Sequence, residues 1–305
     1  MTLDANRLRV LVEIAHAGSI TAAAERMAFT PAALSQQMTK LEREVGCALI
    51  ERVRGGVRLT HAGRVAVEHG ERVLGELRDA EAALQAAAGA WTTRLGLGAF
   101  ASAGKILVPQ ALASFRTAHP HVRLALQDLE PPEGYGLVTS GDLDLLLTHC
   151  YPGTSLPAAP ALHRERLLVD PLMLVLPDTH AAAVHSVDTP LGLRDLADEE
   201  WICGGPGVSN RTALDRVAHQ ADVEVTVAYE TRDYEVTLAL VRAGIGVSLI
   251  PASVLRAAPQ QGWMSRPLSG PALHREIYAV HRRRARGPVL EMVSMLRQAA
   301  TRTLA

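Results

Sequence analysis

Apolar residues recur at helical spacing through roughly the first ninety positions and in short unbroken runs after that, and this change of period predicts two different architectures in one chain. Leu8, Leu11, Val12 and Ala15 mark one face of a first helix, which Gly18 ends. Ser19 is placed to cap an alanine-rich second helix, SITAAAERM, with Ala23 and Met27 on one side. Thr30 followed by Pro31 starts a third, since a hydroxyl cap and a proline without an N–H suit the first turn. In PAALSQQMTKLEREVG the apolar positions Leu34, Met38, Leu41 and Val45 are spaced by four, three and four, and Gly46 is the stop. RVRGGVRLT then predicts a hairpin with Gly55 and Gly56 at its turn. Strict alternation places Arg52 and Arg54 on one face and Arg58 on the other.

The polar face of the third helix holds Ala32, Ser35, Gln36, Thr39, Lys40 and Arg43. Glutamine pairs bidentately with adenine in the major groove, hydroxyls bond base or phosphate, and an alanine methyl suits thymine. A small-residue helix, a tight turn, a capped polar-faced helix and an arginine-tipped hairpin, in that order, predict a winged helix-turn-helix within residues 1–60. Double-stranded DNA is the partner this implies. Thr30, Pro31, Ala32, Ser35, Gln36, Thr39 and Lys40 are the expected reading surface, and Arg52, Arg54 and Arg58 the cations that bring the wing to phosphate.

Thr60 caps a further helix running to about Ala88, the linker of residues 61–90. Along it Ala66, Gly70, Val73, Leu77, Ala80, Leu84 and Ala87 alternate spacings of four and three, while charged residues flank them. A long helix with one apolar stripe predicts pairing with its copy, with Val73, Leu77, Ala80 and Leu84 at the seam. Two-fold pairing in turn demands an operator with dyad symmetry.

From about residue 95 to 305, apolar runs alternate with helical patterns, which argues a parallel α/β arrangement. LGLGAF, VRLALQ, LDLLLT, PLMLVLP, EWIC, VEVTVAYE, GVSLIP and IYAVH are the expected strands; Trp91 to Arg94 is the expected hinge, and Lys105 to Ala118 the first helix. Two lobes are expected, one of about 95–165 with 270–305 and the other of about 166–269, enclosing a cleft. Ligands of open α/β sheets sit beyond the strands' carboxyl ends, so Ser102, Thr148, Ser209 and Asn210 are candidate contacts and Arg232 a counter-charge for a carboxylate.

Composition narrows the picture further. The formal net charge is -1, so any DNA affinity must come from local asymmetry, and Arg52 to Arg64 contains no acidic residue. No apolar run reaches the roughly 18 positions a membrane helix needs, and Asp4 and Glu13 interrupt any secretory pattern, so a soluble, cytoplasmic protein with no membrane partner is expected. Cys47, Cys150 and Cys203 form no CxxC pair and are expected as reduced thiols, a redox role for Cys150 or Cys203 being the weaker reading. His149, Cys150 and His163 match no metal-ligand spacing; no GxSxG, Walker loop or HExxH occurs, so no metal, cofactor or catalytic residue is assigned. The basic run from His281 to Arg286 reads as a solvated turn.

The stretch GSITAAAERMAFTPAALSQQMTKLEREVGCALIERVRGGVRLTHAG resembles the amino-terminal domain of the LysR-type transcriptional regulators over about sixty positions. It departs from the common pattern at Thr30, Pro31, Ala32, where many members have Ser, Gln, Pro, and at Gln36, where many have arginine; both departures concern base reading. LASFRTAHPHVRL, SGDLDLLL, LVLP and VRAGIGVSLIP resemble, more loosely, that family's effector-binding domain. The resemblance implies an α/β protein with an all-α-dominated winged helix-turn-helix head, a linker helix that dimerises, often with assembly to tetramers, and a two-lobed effector domain similar to periplasmic binding proteins. The function it implies is a transcription regulator, not an enzyme, switched by a small molecule between the lobes. The rival is a solute-binding protein or enzyme carrying an amino-terminal interaction module.

Overall fold

A computed structural model describes residues 3–87, 94–151, 153–184, 190–270, 273–285 and 287–304. Three helices, α1 (Ala5–Ala17), α2 (Ile20–Met27) and α3 (Pro31–Val45), precede the hairpin β1 (Ile50–Val53) and β2 (Gly56–Leu59). The caps fall where the hydroxyls and glycines predict. Ser19 Oγ accepts the Ala22 amide, Thr30 Oγ1 accepts the Ala33 amide, and Gly18 and Gly46 take left-handed conformations after α1 and α3. Leu11, Ile14, Ala23, Leu34, Met38, Leu41 and Leu49 close a small core between them. Glu42 fastens the hairpin to α3, its Oε1 accepting the Leu49 and Ile50 amides at 2.8 and 3.2 Å.

The hairpin turn is shifted by one residue from the expected Gly55–Gly56. Arg54 and Gly55 form it, with positive φ only at Gly55, and Gly56 begins β2 opposite Val53. The neighbouring helix turn decides this. The Val57 amide donates to the Gly18 carbonyl at 3.0 Å, and that carbonyl oxygen lies 2.4 Å from where a Cβ on residue 56 would stand. Gly56 is therefore spent on close approach rather than on the bend.

Helix α4 (His61–Ala87) starts on the Thr60 cap, with the Gly63 amide donating to Oγ1 at 2.9 Å. It has two occupied faces and one open one. Ala66 and Gly70, expected at the dimer seam, pack on the head of their own chain, Gly70 against Leu8 and Val12. The face of Leu74, Gly75 and Arg78 lies against helix α7 (Tyr135–Ser140), where Arg78 pairs with Asp142, Asp79 with Arg282 and Glu76 with Arg284. His16 of α1 meets Glu71 at 2.8 Å directly over Gly136, whose missing side chain makes the approach possible. Head, linker and first lobe thus form a continuous packed unit. The expected hinge lies outside the described residues except for Arg94.

Beyond it the sheet is mixed rather than all parallel. Strands β3 (Arg94–Ala99), β4 (Arg123–Asp128) and β5 (Leu145–Cys150) run parallel, whereas β6 (Leu162–Pro177) and β11 (His274–Arg282) are antiparallel to each other, and β11 to β5. The expected strand PLMLVLP is only the second half of β6. Its first half pairs with β11, and its second with β9 (Ser248–Pro251) and β10 (Trp263–Arg266), so one strand threads both lobes. The segment expected as one helix divides at Leu107 into α5 (Ala101–Ile106) and α6 (Val108–Ala118), Pro109 lacking the N–H to continue. In the second lobe, β7 (Glu200–Cys203) and β8 (Thr226–Glu230) pair in parallel beside α8 (Ser209–Ala221) and α9 (Tyr234–Arg242), while α10 (Ala252–Ala257) packs on β6 and β9; α11 (Pro288–Leu304) returns to pack on α6.

Gly63 yields a stability prediction. A Cβ there would stand 1.9 Å from the Leu49 carbonyl oxygen, which is held by the Thr60 amide and cannot retreat cheaply. Gly63→Ala is expected to destabilise by roughly 2 kcal/mol or more through overpacking, whereas Gly104→Ala, with nothing within 4 Å, is neutral or stabilising by up to about 1 kcal/mol. Thermal unfolding followed by circular dichroism checks the pair, and equal melting points would refute the close contact.

Candidate functional site

On the head, Thr30, Pro31, Ala32, Gln36, Thr39 and Lys40 are exposed along one side of α3 and Ser35 is half-buried. The burial of Leu34, Met38 and Leu41 turns that side outward, so helical period alone assembles the surface. Two side chains are less available than the sequence suggests. Thr39 Oγ1 donates to the Ser35 carbonyl at 2.9 Å, back-bonding into its own helix. Arg58 faces Glu51 across the hairpin and donates to it through Nη2 at 2.7 Å and Nε at 3.3 Å, so it reaches the surface neutralised. Arg52 and Arg54 carry no such carboxylate among the described residues, and Arg54 sits at the wing tip. Sequence reasoning missed Phe29, which is 56 % exposed in the turn leading into α3, an apolar side chain beside the polar face.

The second site is a cleft of about 810 Å³ between the lobes. Ser102, Ser209, Asn210 and Arg232 line it, as strand-end reasoning predicts. Thr148 does not, and this candidate is corrected. Side chains alternate along β5, so His149 faces the cleft while Thr148 turns behind the sheet toward Tyr135, fully buried. Absent from the sequence reading is Arg275, on β11. It is 1 % exposed and faces Asp170 of β6, 0 % exposed, with Nε donating to Oδ2 at 3.0 Å. The Asp170 carboxylate also accepts the Ser253 amide at 3.0 Å and its hydroxyl at 2.6 Å, while Arg275 Nη1 donates to Ser102 Oγ at 2.9 Å. Phe100 and Tyr234 lie against the guanidinium, 5.6 and 6.0 Å from ring centre to carbon.

The lobes touch across this cleft. Lys105 of α5 pairs with Glu235 of α9, and the Tyr151 and Tyr234 hydroxyls meet at 2.9 Å, burial raising the pKa of both phenols. His149 stands edge-on to Phe100 and Tyr151, with Nε2 at 3.8 Å from Glu130 and Nδ1 buried without a partner among the described residues. Cys203 is buried beneath, its thiol pushed up to about 11 by desolvation, which leaves almost no thiolate at neutral pH. Cys150 is half-buried and donates to the Thr154 carbonyl at 3.4 Å. Among the described residues no His, Cys, Asp or Glu cluster could hold a metal ion, and no helix is long and apolar enough to cross a membrane. The basic run at the end of β11 is not simply solvated, since Arg282 and Arg284 are partners of α4.

A winged helix-turn-helix head on a long helix, joined to two α/β lobes about a cleft, defines a ligand-responsive DNA-binding regulator. The family described as LysR substrate binding domain matches residues 88–301, and that described as bacterial regulatory helix-turn-helix protein, lysR family, matches residues 5–64. The chain belongs to the LysR family and is a LysR-type transcription regulator. It is 30% identical over 253 residues to the HTH-type transcriptional regulator CfxR of Cupriavidus necator, covering 83% of this chain and 77% of that one. It is also 30% identical over 264 residues to CbbR of Xanthobacter flavus, covering 84% and 75%. Among solved structures it is similar to a full-length OxyR variant from Pseudomonas aeruginosa, with a TM-score of 0.69 and 23% identity over 98% of this chain and 95% of that one.

The cleft makes acid stability testable. Burial holds the His149 imidazole below its ordinary value of 6.5, outweighing the opposing pull of Glu130, so the unfolded chain binds that proton more readily than the folded one. The resulting stability is complete above about 6.5 and is lost as the pH falls below it. The Glu130 carboxyl, held below 4.5 chiefly by His149, adds a further loss only at lower pH. Between about pH 7.5 and about pH 5.5 the melting temperature is expected to fall less steeply in His149→Gln than in the parent chain. Parallel slopes would show that His149 does not enter the folded state neutral.

Proposed function

We propose that the exposed face of α3 reads base edges in the major groove while Arg54 and Arg52 on the wing hold the phosphate backbone. What carries this reading is the continuity of that face: Thr30, Ala32, Gln36 and Lys40 stand outward on one helix that Glu42 ties to the arginine wing. Gln36 is the base-discriminating side chain and Arg54 the principal phosphate contact, with Arg58 secondary because Glu51 already engages it.

Two copies pair through α4. Val73 and Leu77, each 43 % exposed, and Leu84, 71 % exposed, form with the exposed Ala80 an apolar stripe on the side of α4 turned away from α7. An apolar stripe at heptad spacing supports a coiled-coil seam and hence a dyad-symmetric operator, with a homodimer or homotetramer as the working form. The cleft receives a small-molecule effector, with Ser102, Ser209, Asn210 and Arg232 as contacts and no chemistry performed on it. Because α4 is fastened both to the head and to the first lobe, a change in lobe closure re-aims the paired heads.

Fluorescence anisotropy with the DNA upstream of its own gene tests the reading. Arg54→Ala is expected to weaken binding to all sequences alike and to flatten the salt slope by about one. Gln36→Ala is expected to lose about 1–3 kcal/mol of discrimination at one base pair, and an unchanged ranking of operator variants would remove it from the reading surface. Leu77→Glu should yield monomers in sedimentation velocity together with weaker operator binding. If the variant sediments as the parent does, the seam lies elsewhere.

A further inference from the structure

Helix α2 ends in a tight reversal that leaves an aromatic ring in water at the entrance to α3. The Phe29 amide donates to the Ala24 carbonyl at 2.9 Å and the Ala28 amide to the Glu25 carbonyl at 3.3 Å, with Ala28 left-handed at a φ of 56°. In this Schellman arrangement the residue in the place of Phe29 ordinarily folds an apolar side chain back on the helix just left. Its counterpart there is Ala24, a single methyl already buried in the core of the head, which gives a ring little to cover. Phe29 also stands one residue before the Thr30 cap, where an apolar side chain ordinarily packs on the fourth residue of the next helix. That residue is Leu34, itself fully buried in the core. Either use buries the side chain, yet Phe29 stays 56 % exposed, whereas the chain's other two phenylalanines, Phe100 and Phe115, are buried.

The ring is not an isolated apolar residue on a polar surface. Ala28, Pro31 and Ala32 are exposed around it, so residues 28–32 present carbon interrupted only by Thr30, whose Oγ1 is engaged by the Ala33 amide at 3.2 Å. The side chains able to bond a base edge, Gln36 and Lys40, follow more than a turn later. A helix-turn-helix head brings the first residues of its second helix to the base edges, so the duplex is the occupant next to this end of α3. Carbon set against a groove of donors and acceptors leaves them unpaired, which is costly. Thymine alone offers it a methyl group there.

Building on the reading of α3 as the helix that meets base edges, we infer that Phe29 is a specificity-determining residue whose ring packs on the C5 methyl of one thymine in each half of the operator. Gln36 discriminates at a separate position. Guanine or cytosine in place of that thymine sets a polar edge against the ring and is rejected. The contact carries no charge, so its contribution does not vary with salt as that of Arg54 does.

Duplexes enriched from a random library by the full-length parent protein supply the probe. Each thymine of the enriched site is replaced in turn by deoxyuridine, which lacks only the methyl, and binding is followed by fluorescence anisotropy. One thymine per half-site is expected to lose about fourfold on losing its methyl, the worth of one small apolar group withdrawn from water. Phe29→Ala should bind the thymine duplex at least that much more weakly and show no further loss with deoxyuridine at that position. Phe29→Leu should keep part of the methyl effect, and both variants should keep the salt slope and the melting temperature of the parent, since the ring is exposed. Deoxyuridine tolerated by the parent at every thymine, or a methyl effect that survives in Phe29→Ala, would overturn the assignment. So would unaltered DNA binding by Phe29→Ala, which would leave the ring to a protein partner. Gln36→Ala on the same duplexes keeps the two ideas apart. Discrimination lost there without any methyl effect sinks the role of Phe29 alone, whereas a library that enriches no sequence removes the reading of α3 with it.

Discussion

The fold of the ligand-binding part depends on one buried ion pair. Asp170 and Arg275 face each other on β6 and β11, where both strands leave the sheet of the first lobe for the second. Two charges withdrawn from water are costly unless they are hydrogen-bonded as well as paired, and here Ser102 from one lobe and Ser253 from the other add such bonds. The pair therefore specifies geometry more than it adds stability: it places α5 and α10 about the same point and defines the floor of the cleft.

A comparable constraint shapes the other end. Helix α4 meets the head and α7 and leaves a third face open, and its sequence divides these faces by residue size and charge. Glycine sits where backbones approach, ionic residues where α7 and the end of β11 meet it, and Val73, Leu77, Ala80 and Leu84 on the face left exposed among the described residues. The head is consequently no loose appendage, since His16 and Glu71 bind it to the linker over Gly136 of the first lobe.

Much of the head was legible in the sequence because its signals are local. Thr30, Pro31 and Gly46 bound α3 through caps and φ preferences, and period alone turns Gln36 and Lys40 outward. The turn at Arg54 and Gly55 was misplaced by one residue because Gly56 answers to a carbonyl at Gly18, far off in the chain. In the cleft, Ser102, Ser209 and Asn210 follow from the rule that ligands gather at strand ends, yet Thr148 fails because the rule does not fix which of two adjacent side chains faces inward.

What the sequence determined by itself, then, is the order of elements, the exposed polar face of α3, the apolar stripe of α4 and the α/β character of the remainder, all properties carried by spacing within a few turns. Only the tertiary structure decided that β6 threads both lobes, that Arg58 is engaged by Glu51, that Ala66 and Gly70 of α4 pack on their own head, and that Arg275 lies at the floor of the cleft. Each of these joins residues distant in the chain or on separate strands. No local periodicity records such pairings, since they arise from which surfaces must be buried together once every element has formed.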